Sequence, residues 1–408
     1  MLKRLTINNY RSCKEVVLDD LGEVTALIGR NSVGKSNVLK AISTLAQFAC
    51  SSGPDAPAWK ELPTQLALST KLKEEIPVSF NAEVVLPGGL YRYTVSAKGS
   101  HFIDIRKDKY KLEESLEYAS EGRKKEVVFK RSEEKLIVSA RADPLNVGPC
   151  VATMTALASL LPASDPLLSI TEPLRHFFSK VRYYPLDEPA EMDPRAFIME
   201  EEYRKWTTEY NASGNLGTDV PMQLVHLHQA RPEALVELND RLGKKGLRLI
   251  DEVTVSDMTR NVDHKTAIYL YMIYFKISPE AGGEGVSPLP FGKLSQGTRR
   301  LVRLLTAMTM RDCSLMLIEH PEDGIHKGLV RKVAGLFTTG PGEGQIILST
   351  HSDTLMNSLE PASIRFVSME DGSTTVQKLG SEELAAASDY VNSDVGGTLS
   401  EFLHSVEG

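Results

Sequence analysis

The sequence lacks the marks of membrane, secreted and disulfide-rich proteins. No stretch approaches the roughly 20 uninterrupted apolar residues that a membrane-spanning helix needs, and the opening residues Met1–Ile7 lack the long apolar core of a signal peptide. The chain has only four cysteines, which lie far apart in the sequence at Cys13, Cys50, Cys150 and Cys313. Their spacing fits neither a metal site nor a disulfide framework. We therefore expect reduced, mostly buried thiols in a cytoplasmic protein.

The composition also lacks any strong bias. Of the 408 residues, 41% are hydrophobic and 25% are charged, close to the averages of soluble globular proteins, which excludes a disordered or collagen-like chain. The net charge of −7 argues against a sequence-independent DNA coat and favours a protein partner, although a local basic patch could still bind nucleic acid. The sequence contains no internal repeat and no long heptad run, which argues against a coiled-coil arm.

What the chain does contain is an alternation of strand and helix patterns, interrupted by two other segments. A short apolar strand, Glu23–Ile28, leads into a glycine-rich loop and then into apolar residues at helical spacing up to Phe48. Residues 51–75 are rich in Ser, Pro and Ala, which predicts a connecting loop with a short helix, and residues 77–139 alternate as in an antiparallel meander. Residues 189–250 are helix-rich and polar and are divided by a predicted turn at Asn211–Asn215. Another meander is predicted at Leu249–Ile277. From about residue 296 onward, helix and strand patterns alternate again. The order predicts an α/β fold with a β-rich segment and a helix-rich segment between its halves.

The strongest motif is Gly29-x-x-x-x-Gly34-Lys35-Ser36, which follows that strand and opens that helix. In a phosphate-binding loop the glycines let backbone N–H groups point at phosphate oxygens, and the helix adds its positive N-terminal dipole. Lys35 would lie against the β- and γ-phosphates, and the Ser36 hydroxyl would ligate Mg²⁺. An ordinary glycine-rich turn is the plain alternative, but the flanking strand and helix favour nucleotide binding. The predicted binding residues here are Gly29, Arg30, Asn31, Ser32, Val33, Gly34, Lys35, Ser36 and Asn37.

A second motif, Leu315–Glu319, is an apolar run that ends in an acid. A buried strand with a carboxylate at its C-terminal end is what a Mg²⁺-holding motif needs, so Ser36 and Glu319 are the predicted metal ligands. Aliphatic strands with a terminal acid are common. This one gains weight because it lies C-terminal to the phosphate loop and is preceded by a helix.

Two further motifs are weaker when each is taken alone. Ser295-Gln296-Gly297 stands directly before a helix, where hydroxyl and N–H groups could contact a phosphate. Taken alone, the favoured interpretation is a simple N-cap by Ser295. The other motif is a strand that delivers His351 at its C-terminal end. A lone histidine in that position is usually structural, but in a phosphate site it could contact the γ-phosphate.

Together and in this order, the four motifs resemble those of an ABC-type ATPase. Within that class the chain looks most like the SMC-like and RecF-like branch of "AAA domain" proteins, to which the overcoming-lysogenization-defect family and many bacterial antiphage ATPases belong. The opening Leu5–Ser12 is similar to that branch's first strand and its aromatic–Arg–Ser turn. Pro321–His326 is similar to the segment after its Walker B acid, and the strand Tyr91–Val95 fits its β-rich arm.

The resemblance implies a fold and a domain organisation. The fold is an α/β P-loop ABC-type ATPase head with a mixed sheet and flanking helices. It would be built from residues 1–75 and 285–408, with a β-rich arm and following helices at 76–184 and a helical insertion with a β return at 185–284. The resemblance also implies ATP and Mg²⁺ as cofactors.

The same resemblance implies a dimeric site and assigns its residues. Two subunits would sandwich the nucleotides, and Leu294–Thr298 would act as the signature that completes the opposing subunit's site. Glu319 becomes the Walker B acid and His351 the switch histidine, while His326 would lie at the dimer seam. The residues added to the nucleotide site are Arg11, Ser295, Gln296, Gly297 and Asp323. The glutamine loop of the class is not placed.

One position departs from the class pattern. After the Walker B acid the class carries a Glu that acts as general base toward the attacking water, and here that position is His320. A histidine side chain ordinarily titrates at about pH 6.5 and could accept a proton, but it does not supply a carboxylate's negative charge. Glu322, beyond a proline, is the other candidate base; taking Glu319 as the base would leave Ile318 at the Mg²⁺ position. We expect slow hydrolysis, with Glu319, His320, Glu322 and His351 as candidate catalytic residues.

Three functional hypotheses remain open. The leading one is a cytoplasmic ATPase dimer that regulates or assembles a separate effector, a nuclease or toxin, in bacterial antiphage defence, since no nuclease centre is recognisable after residue 350. The second is a RecF-like repair or recombination ATPase that binds DNA through basic residues. The third is a nucleotide-binding scaffold with little hydrolysis, which His320 supports. No membrane partner is expected. The basic residues of the second hypothesis are Arg299, Arg300, Arg303, Arg311, Arg123, Lys124 and Lys125.

Overall fold

The structure is a computed structural model that describes residues 1–53, 77–98, 111–185, 196–213, 219–261, 267–283, 285–338, 344–392 and 397–407. The chain divides into two compact units. Unit 1 comprises Met1–Tyr184, Ser314–Pro321 and Gln345–Gly408, and unit 2 comprises Pro185–Cys313 and Glu322–Gly344. The connecting loop predicted at 51–75 lies almost entirely outside the described residues. The domain division predicted from the sequence places its boundaries elsewhere and stays a prediction.

The regular elements follow the chain in this order. The strands are β1 Leu2–Tyr10, β2 Cys13–Leu18, β3 Val24–Ile28, β4 Val78–Leu86, β5 Gly89–Lys98, β6 Lys111–Ser120, β7 Glu126–Ser132, β8 Lys135–Val138, β9 Leu145–Asn146, β10 Val181–Tyr184, β11 Phe197–Met199, β12 Ile250–Asn261, β13 Ala267–Ile277, β14 Leu315–Glu319, β15 Gln345–Thr350, β16 Ile364–Glu370 and β17 Ser373–Lys378. The helices are α1 Lys35–Ala49, α2 Thr153–Leu160, α3 Pro166–Ser179, α4 Glu200–Ser213, α5 Val220–Ala230, α6 Pro232–Leu242, α7 Gln296–Met310, α8 Lys327–Thr338, α9 Asp353–Met356, α10 Ser381–Asn392 and α11 Leu399–Glu407.

A six-stranded sheet in unit 1 carries the predicted site. Its order is β10-β14-β15-β3-β16-β17, with every neighbouring pair parallel except β16 and β17. All residues of β14 and β15 are buried, which explains why both read as continuous apolar runs. Parallel strands end at the same edge of a sheet, and ligands of α/β proteins bind outside that edge. The strand order therefore brings the ends of β3, β14 and β15 side by side.

A second, antiparallel sheet of unit 1 has the order β2-β1-β4-β5-β6-β7-β8-β9. The predicted meander thus continues the sheet that β1 and β2 begin. Helix α1 buries the apolar positions that predicted it, including Val38 and Ile42. Its Phe48 lies against Phe80 of β4, with ring centroids 6.2 Å apart. The mixed α/β class predicted from the sequence is confirmed.

A buried ion pair fixes the second sheet to helix α2. The Glu114 and Arg131 side chains are both 0% exposed, and Arg131 Nη1 lies 3.0 Å from Glu114 Oε2. The Glu114 carboxylate also accepts hydrogen bonds from the Tyr93 hydroxyl at 2.5 Å, the Thr153 backbone N–H at 2.9 Å and the Thr153 hydroxyl at 2.5 Å. Burial, together with the Glu114 charge, raises the pKa of Tyr93 well above its usual value. A buried charge with this many partners is a strong structural constraint.

Unit 2 combines helices α4–α8 with a three-stranded sheet of order β11-β13-β12. The long β12–β13 hairpin is the meander predicted at 249–277. The turn predicted at Asn211–Asn215 is wrong for its first three residues, which close helix α4. Trp206 and Tyr210 stack one turn apart on that helix, with ring centroids 5.7 Å apart, and this packing outweighs the weak turn preference of Asn and Ser. Residues 214–218 lie outside the described residues.

Two predicted absences can be compared with the structure. All four cysteines lie in the described part of the chain, and none of them forms a disulfide. Cys13 and Cys150 are buried, while Cys50 and Cys313 are partly exposed. Among the described residues, no helix is long and apolar enough to cross a membrane.

Candidate nucleotide-binding site

The loop between β3 and α1 has a backbone that requires glycine at two positions. Gly29 and Gly34 have φ of 140° and 104°, and Ser32 between them has φ of 66°. A Cβ on Gly29 would lie 2.2 Å from the Val367 carbonyl oxygen, and one on Gly34 would lie 2.0 Å from Thr374 Oγ1. Left-handed residues in such a loop form concave nests of backbone N–H groups that bind anions. The predicted strand–loop–helix context of a phosphate loop is present.

Lys35 folds back across this loop. Its Nζ donates hydrogen bonds to the Gly29 carbonyl at 2.7 Å and to the Arg30 carbonyl at 2.9 Å, and the residue is only 4% exposed. Burying an ammonium group among carbonyl oxygens holds a positive charge inside the loop. This charge lies where the sequence predicts the β- and γ-phosphates, so the loop fits a triphosphate in chemistry as well as in backbone shape.

The turn between β1 and β2 is tied to the loop through a residue near the other end of the chain. Thr374 Oγ1 donates to the Val33 carbonyl at 3.0 Å and lies 2.7 Å from Ser12 Oγ. Asn37 Nδ2 donates to the same Ser12 oxygen at 2.8 Å, and Arg11 Nη1 lies 3.4 Å from Asn37 Oδ1. Arg11 and Asn37, predicted as binding residues, are therefore adjacent to the loop. Thr374 was not predicted, and no local pattern around it points to this role.

Glu319 ends β14 as predicted, and a tyrosine that the sequence did not single out holds it. The Tyr183 hydroxyl on β10 donates to Glu319 Oε1 at 2.8 Å. Burial, and then the Glu319 charge, raises the pKa of Tyr183 far above its usual value, so the hydroxyl keeps its proton and acts as a donor. Glu319 itself is buried. The bond orients one oxygen of the Glu319 carboxylate.

His320 and His351 form a pair beyond the ends of β14 and β15. The register places Glu319 opposite Ser349. His320 follows one residue after Glu319 and His351 two residues after Ser349, so the two side chains come together. The two Nδ1 atoms lie 3.0 Å apart, and the ring centroids lie 4.9 Å apart. His320 has a left-handed backbone with φ of 41°, and its N–H donates to the Ser349 carbonyl at 2.9 Å. Non-glycine residues rarely adopt this conformation, and such residues cluster at functional sites.

A cleft of about 170 Å³ is lined by His320 together with residues of the loop and of α1. It includes Lys35 and Ser36, the predicted phosphate and metal contacts. Sites for drug-sized ligands usually have volumes of about 300–1,000 Å³. A cleft of this size encloses the phosphates of a nucleotide and not the whole molecule. Unit 1 thus brings Gly29–Asn37, Arg11, Glu319, His320 and His351 to one edge of the six-stranded sheet.

The remaining predicted residues lie in unit 2. Ser295 caps α7, because its Oγ accepts a hydrogen bond from the Thr298 N–H at 3.2 Å. The structure therefore contains the N-cap, and contact of Ser295 with a phosphate in an opposing subunit stays a prediction. Ser295 and Gln296 are exposed and Gly297 is buried. A Cβ on Gly297 would lie 2.0 Å from the Gly324 carbonyl oxygen, so the predicted signature packs tightly on the turn that follows Asp323.

The structure gives Glu322 and His326 different surroundings. Glu322 is buried, and it belongs to unit 2 whereas His320 belongs to unit 1. Its role as a base stays a prediction. The His326 Nδ1 accepts a hydrogen bond from the Gly328 N–H at 3.2 Å at the start of α8. This contact gives His326 a capping role within its own chain.

A family model matches most of the chain. The family described as "AAA domain, putative AbiEii toxin, Type IV TA system" matches residues 24–148 and 200–357, which is more than half of the sequence. The two matched segments include the phosphate loop, the Glu319 strand and the His351 segment.

Curated relatives match over short segments. The DNA replication and repair protein RecF of Staphylococcus carnosus is 51% identical over 45 residues, which is 11% of this chain and 12% of that protein. An uncharacterized protein of Methanocaldococcus jannaschii is 36% identical over 56 residues, 14% of this chain and 17% of that protein. The matched part of the chain spans less than a fifth of the length of either relative.

Solved structures of SMC heads are similar over nearly the whole chain. An Smc head bound to the C-winged helix domain of ScpA has a TM-score of 0.49 at 15% identity, covering 94% of this chain and 99% of that chain. An Smc head with an extended coiled coil, bound to the C-terminal domain of ScpA derived from Pyrococcus furiosus, has a TM-score of 0.45 at 13% identity, covering 96% and 99%. The SMC head domain from Thermotoga maritima has a TM-score of 0.37 at 13% identity, covering 93% and 99%.

Proposed function

The chain belongs to this AAA-domain family, and from this premise we propose that it is an SMC-like and RecF-like P-loop ATPase that binds ATP with Mg²⁺ and hydrolyses it slowly. The observation that carries the proposal is the set of groups at one edge of the six-stranded sheet. The loop supplies a buried ammonium group from Lys35, the start of α1 supplies the Ser36 hydroxyl, and β14 supplies the Glu319 carboxylate. Carboxylate and hydroxyl oxygens are ligands that Mg²⁺ prefers.

Each of these residues has a defined task in the proposal. Bound Mg²⁺ would neutralise the charge of the phosphates. Lys35 exchanges its loop carbonyls for phosphate oxygens, and Ser36 and Glu319 hold the ion. Tyr183 keeps Glu319 in one orientation through its 2.8 Å hydrogen bond. His320 lies in the position where the class carries its general base.

ATP turnover tests the enzymatic part. We expect slow turnover by the wild type and none by Lys35→Ala, because the phosphates lose their main positive contact. His320→Ala should lower kcat by about 10²–10⁴-fold if His320 is the base, the range for a positioned general base. Glu322→Gln is the matched control for the other candidate. Turnover that survives Lys35→Ala would overturn the site assignment, and binding without any turnover would favour the scaffold hypothesis.

We assign the completion of the site to a second copy of the chain. The cleft in unit 1 holds only part of a nucleotide, and Ser295 and Gln296 are exposed at the N-terminus of α7, where a phosphate of the opposing site would be bound. Sedimentation velocity should give a monomer without nucleotide and a dimer with ATP and Mg²⁺. Gln296→Arg, at the exposed position next to the cap, should abolish the dimer while leaving the Ser295 N-cap in place. A dimer that forms equally without ATP would contradict this arrangement.

The biological role that we propose is regulation or assembly of a separate effector in bacterial antiphage defence. The family description names a putative toxin of type IV toxin–antitoxin systems, and the chain's net charge of −7 suits a protein partner. Phage plating efficiency with the chain and its neighbouring genes tests this role, with Lys35→Ala as the inactive control. Growth arrest on expression of the chain alone would instead make it the toxic component itself.

DNA binding is the second candidate, and two of the residues predicted for it, Arg300 and Arg303, need correction. Arg300 and Arg303 are 5% and 6% exposed, because α7 is buried on all sides from Arg300 to Met310, so they form no basic surface. A different cleft, which lies in unit 2 and has a volume of about 370 Å³, is rich in basic side chains. Its basic residues are Arg241, Lys244, Lys245, Arg248 and Lys332. Acids accompany three of them, namely Glu237, Asp240 and Glu280.

The excess of positive charge in that cleft favours a phosphate backbone as ligand. Duplex DNA mobility at low salt with ATP present should shift, and the shift should weaken as salt rises. The double variant Lys244→Ala/Lys332→Ala should weaken binding at all sequences and reduce the salt slope. Lys205→Ala, an exposed lysine outside the cleft, is the control. No shift at low salt would eliminate this candidate.

A further inference from the structure

A hydroxyl group on β17 contacts the phosphate loop from the side away from the cleft. Thr374 is 0% exposed, and its Oγ1 donates to the Val33 carbonyl at 3.0 Å. Its backbone N–H donates to the Ser12 carbonyl at 2.8 Å, which fixes its position beside the β1–β2 turn. Ser32 and Gly34, on either side of Val33, line the cleft, whereas Val33 and Thr374, both described by the structure, lie outside its lining. Thr374 therefore holds the loop from behind and does not face the bound phosphates.

The contact with Val33 fixes the direction of the next backbone N–H group. The Val33 carbonyl and the Gly34 N–H belong to one planar trans peptide, so they point in opposite directions. Because the carbonyl points to Thr374, the Gly34 N–H points away from Thr374, toward the cleft. Gly34 has φ of 104°, and glycine by itself populates several backbone conformations with similar ease. The hydroxyl thus selects the peptide orientation in which this N–H can donate to a phosphate oxygen.

The same hydroxyl ends a chain of hydrogen bonds that begins at Arg11. Thr374 has a single O–H proton, which it donates to Val33, so in the 2.7 Å contact between the two hydroxyls Ser12 is the donor. Ser12 Oγ accepts from Asn37 Nδ2 at 2.8 Å, and Asn37 Oδ1 accepts from Arg11 Nη1 at 3.4 Å. Both hydroxyls donate once and accept once, and hydrogen bonds in such a chain strengthen one another.

We propose that Thr374 is a positioning residue for nucleotide binding, whose hydroxyl holds the phosphate loop in its triphosphate-binding conformation before the nucleotide arrives. This inference deepens the proposed ATP site and rests on it. Because Thr374 lies behind the loop, it acts on the phosphates through the Gly34 N–H. A ligand that binds one of several loop conformations binds more weakly in proportion to the population of that conformation. Loss of the hydroxyl therefore lowers the affinity for nucleotide and leaves the bound state unchanged.

Serine and alanine at position 374 form a matched pair, because both lack the threonine methyl group and they differ only in the hydroxyl. Valine would instead place a larger methyl group against Gly34, where a Cβ would already lie 2.0 Å from Thr374 Oγ1. In calorimetry, we expect Thr374→Ser to bind ATP with Mg²⁺ within about threefold of the wild type. Thr374→Ala should bind about 5- to 100-fold more weakly, the range for a hydrogen-bonding group left without its partner.

Thr375→Ala is the control on the same strand. It removes a hydroxyl that lies 2.6 Å from Ser368 Oγ, a contact that is exposed. We expect this variant to bind ATP like the wild type, because neither of the two hydroxyl groups touches the loop or the β1–β2 turn. The comparison separates the Thr374 contact from the loss of a threonine hydroxyl on β17 in general.

Two further ligand-binding measurements locate the effect. Tripolyphosphate with Mg²⁺ lacks the base and the sugar, so Thr374→Ala should lose affinity for it by the same factor as for ATP. Ser12→Ala keeps the bond between Thr374 and Val33 and breaks the chain toward Asn37. It should therefore weaken binding less than Thr374→Ala does.

Steady-state turnover distinguishes positioning from a general loss of folding. Thr374→Ala should raise KM and keep kcat within about threefold of the wild type, because the bound loop is the same in the ground state and the transition state. A variant that merely folds poorly has fewer active molecules, so it would lower kcat and leave KM unchanged.

Three results would overturn the inference while ATP binding by the wild type stands. They are binding by Thr374→Ala within about threefold of Thr374→Ser, an equal loss of affinity in Ser12→Ala, and a loss confined to kcat. A loss with ATP that is not seen with tripolyphosphate would also contradict it, because the effect would then lie outside the phosphate contacts. Wild-type protein that binds neither ligand would remove the proposed ATP site and the inference with it.

Discussion

Replacing Tyr183 by phenylalanine removes one hydroxyl group and tests how the metal-binding carboxylate is held. The Tyr183 hydroxyl donates to Glu319 Oε1 at 2.8 Å, and Glu319 is 5% exposed. A hydrogen bond to a charged group contributes about 1.5–3 kcal/mol, because the carboxylate has exchanged water for this donor. We therefore expect Tyr183→Phe to destabilise the region around β10 and β14 by about that amount.

Tyr10→Phe is the matched control. The Tyr10 hydroxyl lies 2.9 Å from Thr44 Oγ1, also in unit 1, but both partners are neutral. Losing a neutral hydrogen bond costs about 0.5–1.5 kcal/mol. The same tyrosine-to-phenylalanine change therefore separates the charged contact from the loss of a hydroxyl in general.

Hydrogen exchange followed by mass spectrometry measures this effect locally, which suits a chain of two units better than a single unfolding curve. With about 1.4 kcal/mol for each factor of ten, peptides covering β14 should exchange roughly 10- to 150-fold faster in Tyr183→Phe. Affinity for ATP should fall about 10- to 100-fold in the presence of Mg²⁺ and remain unchanged without it, because only the metal ligand is disturbed. Exchange no faster than in Tyr10→Phe, or an equal loss of affinity without Mg²⁺, would refute this account of Glu319.

Three further predictions concern other parts of the chain. Glu114→Ala should lower the local free energy of opening around β6 and β7 by about 3–5 kcal/mol in hydrogen exchange, because its arginine partner is left buried and uncompensated, whereas Arg204→Ala, which breaks an exposed pair on α4, should cost about 0.3–0.5 kcal/mol there. Gly29→Ala should abolish ATP binding in calorimetry, because its Cβ would lie 2.2 Å from a backbone oxygen, whereas Gly53→Ala meets nothing within 4 Å and should bind normally. Burial, and then a neighbouring arginine charge, lowers the pKa of His226, so its contribution to stability is present above the unfolded-state pKa of about 6.5 and is lost as pH falls through the lower folded-state value. His226→Gln should therefore lose less stability than the wild type between about pH 7.5 and pH 5, and equal losses would contradict this.

Short-range patterns predicted the elements that carry the site. The strand before Gly29, the helix after it and the buried strands that end at Glu319 and Thr350 all have their signals within a few residues of one another. Apolar runs and helical spacing depend only on neighbouring positions, so a single sequence reveals them. The order of these elements along the chain was enough to indicate the phosphate loop and its acid.

Contacts between distant strands could not be predicted in this way. Tyr183 reaches Glu319 because β10 pairs with β14, and Thr374 reaches the loop because β17 lies beside the β1–β2 turn. Neither residue has a distinctive neighbourhood in sequence. The meander from Val78 had a clear strand pattern, but alternation does not say which strand is the neighbour, so its union with β1 was missed. The residue types of Arg300 and Arg303 allow a basic surface, but α7 is buried on all sides from Arg300 to Met310, and this burial by distant elements leaves no mark in the local sequence.

The strand order of the six-stranded sheet determines when its parts can fold during synthesis. β3 lies between β15 and β16, so this first strand of the site can pair only after residues more than 300 positions downstream have been synthesised. The Gln345 side chain accepts from the Leu2 N–H at 2.9 Å and donates to the Leu2 carbonyl at 2.9 Å, which joins distant parts of the chain directly. Until the ribosome has released this region, the nascent chain exposes an unpaired apolar strand edge, which is a template for aggregation. We therefore expect the proposed ATP site to form only after β15 and β16 have been synthesised.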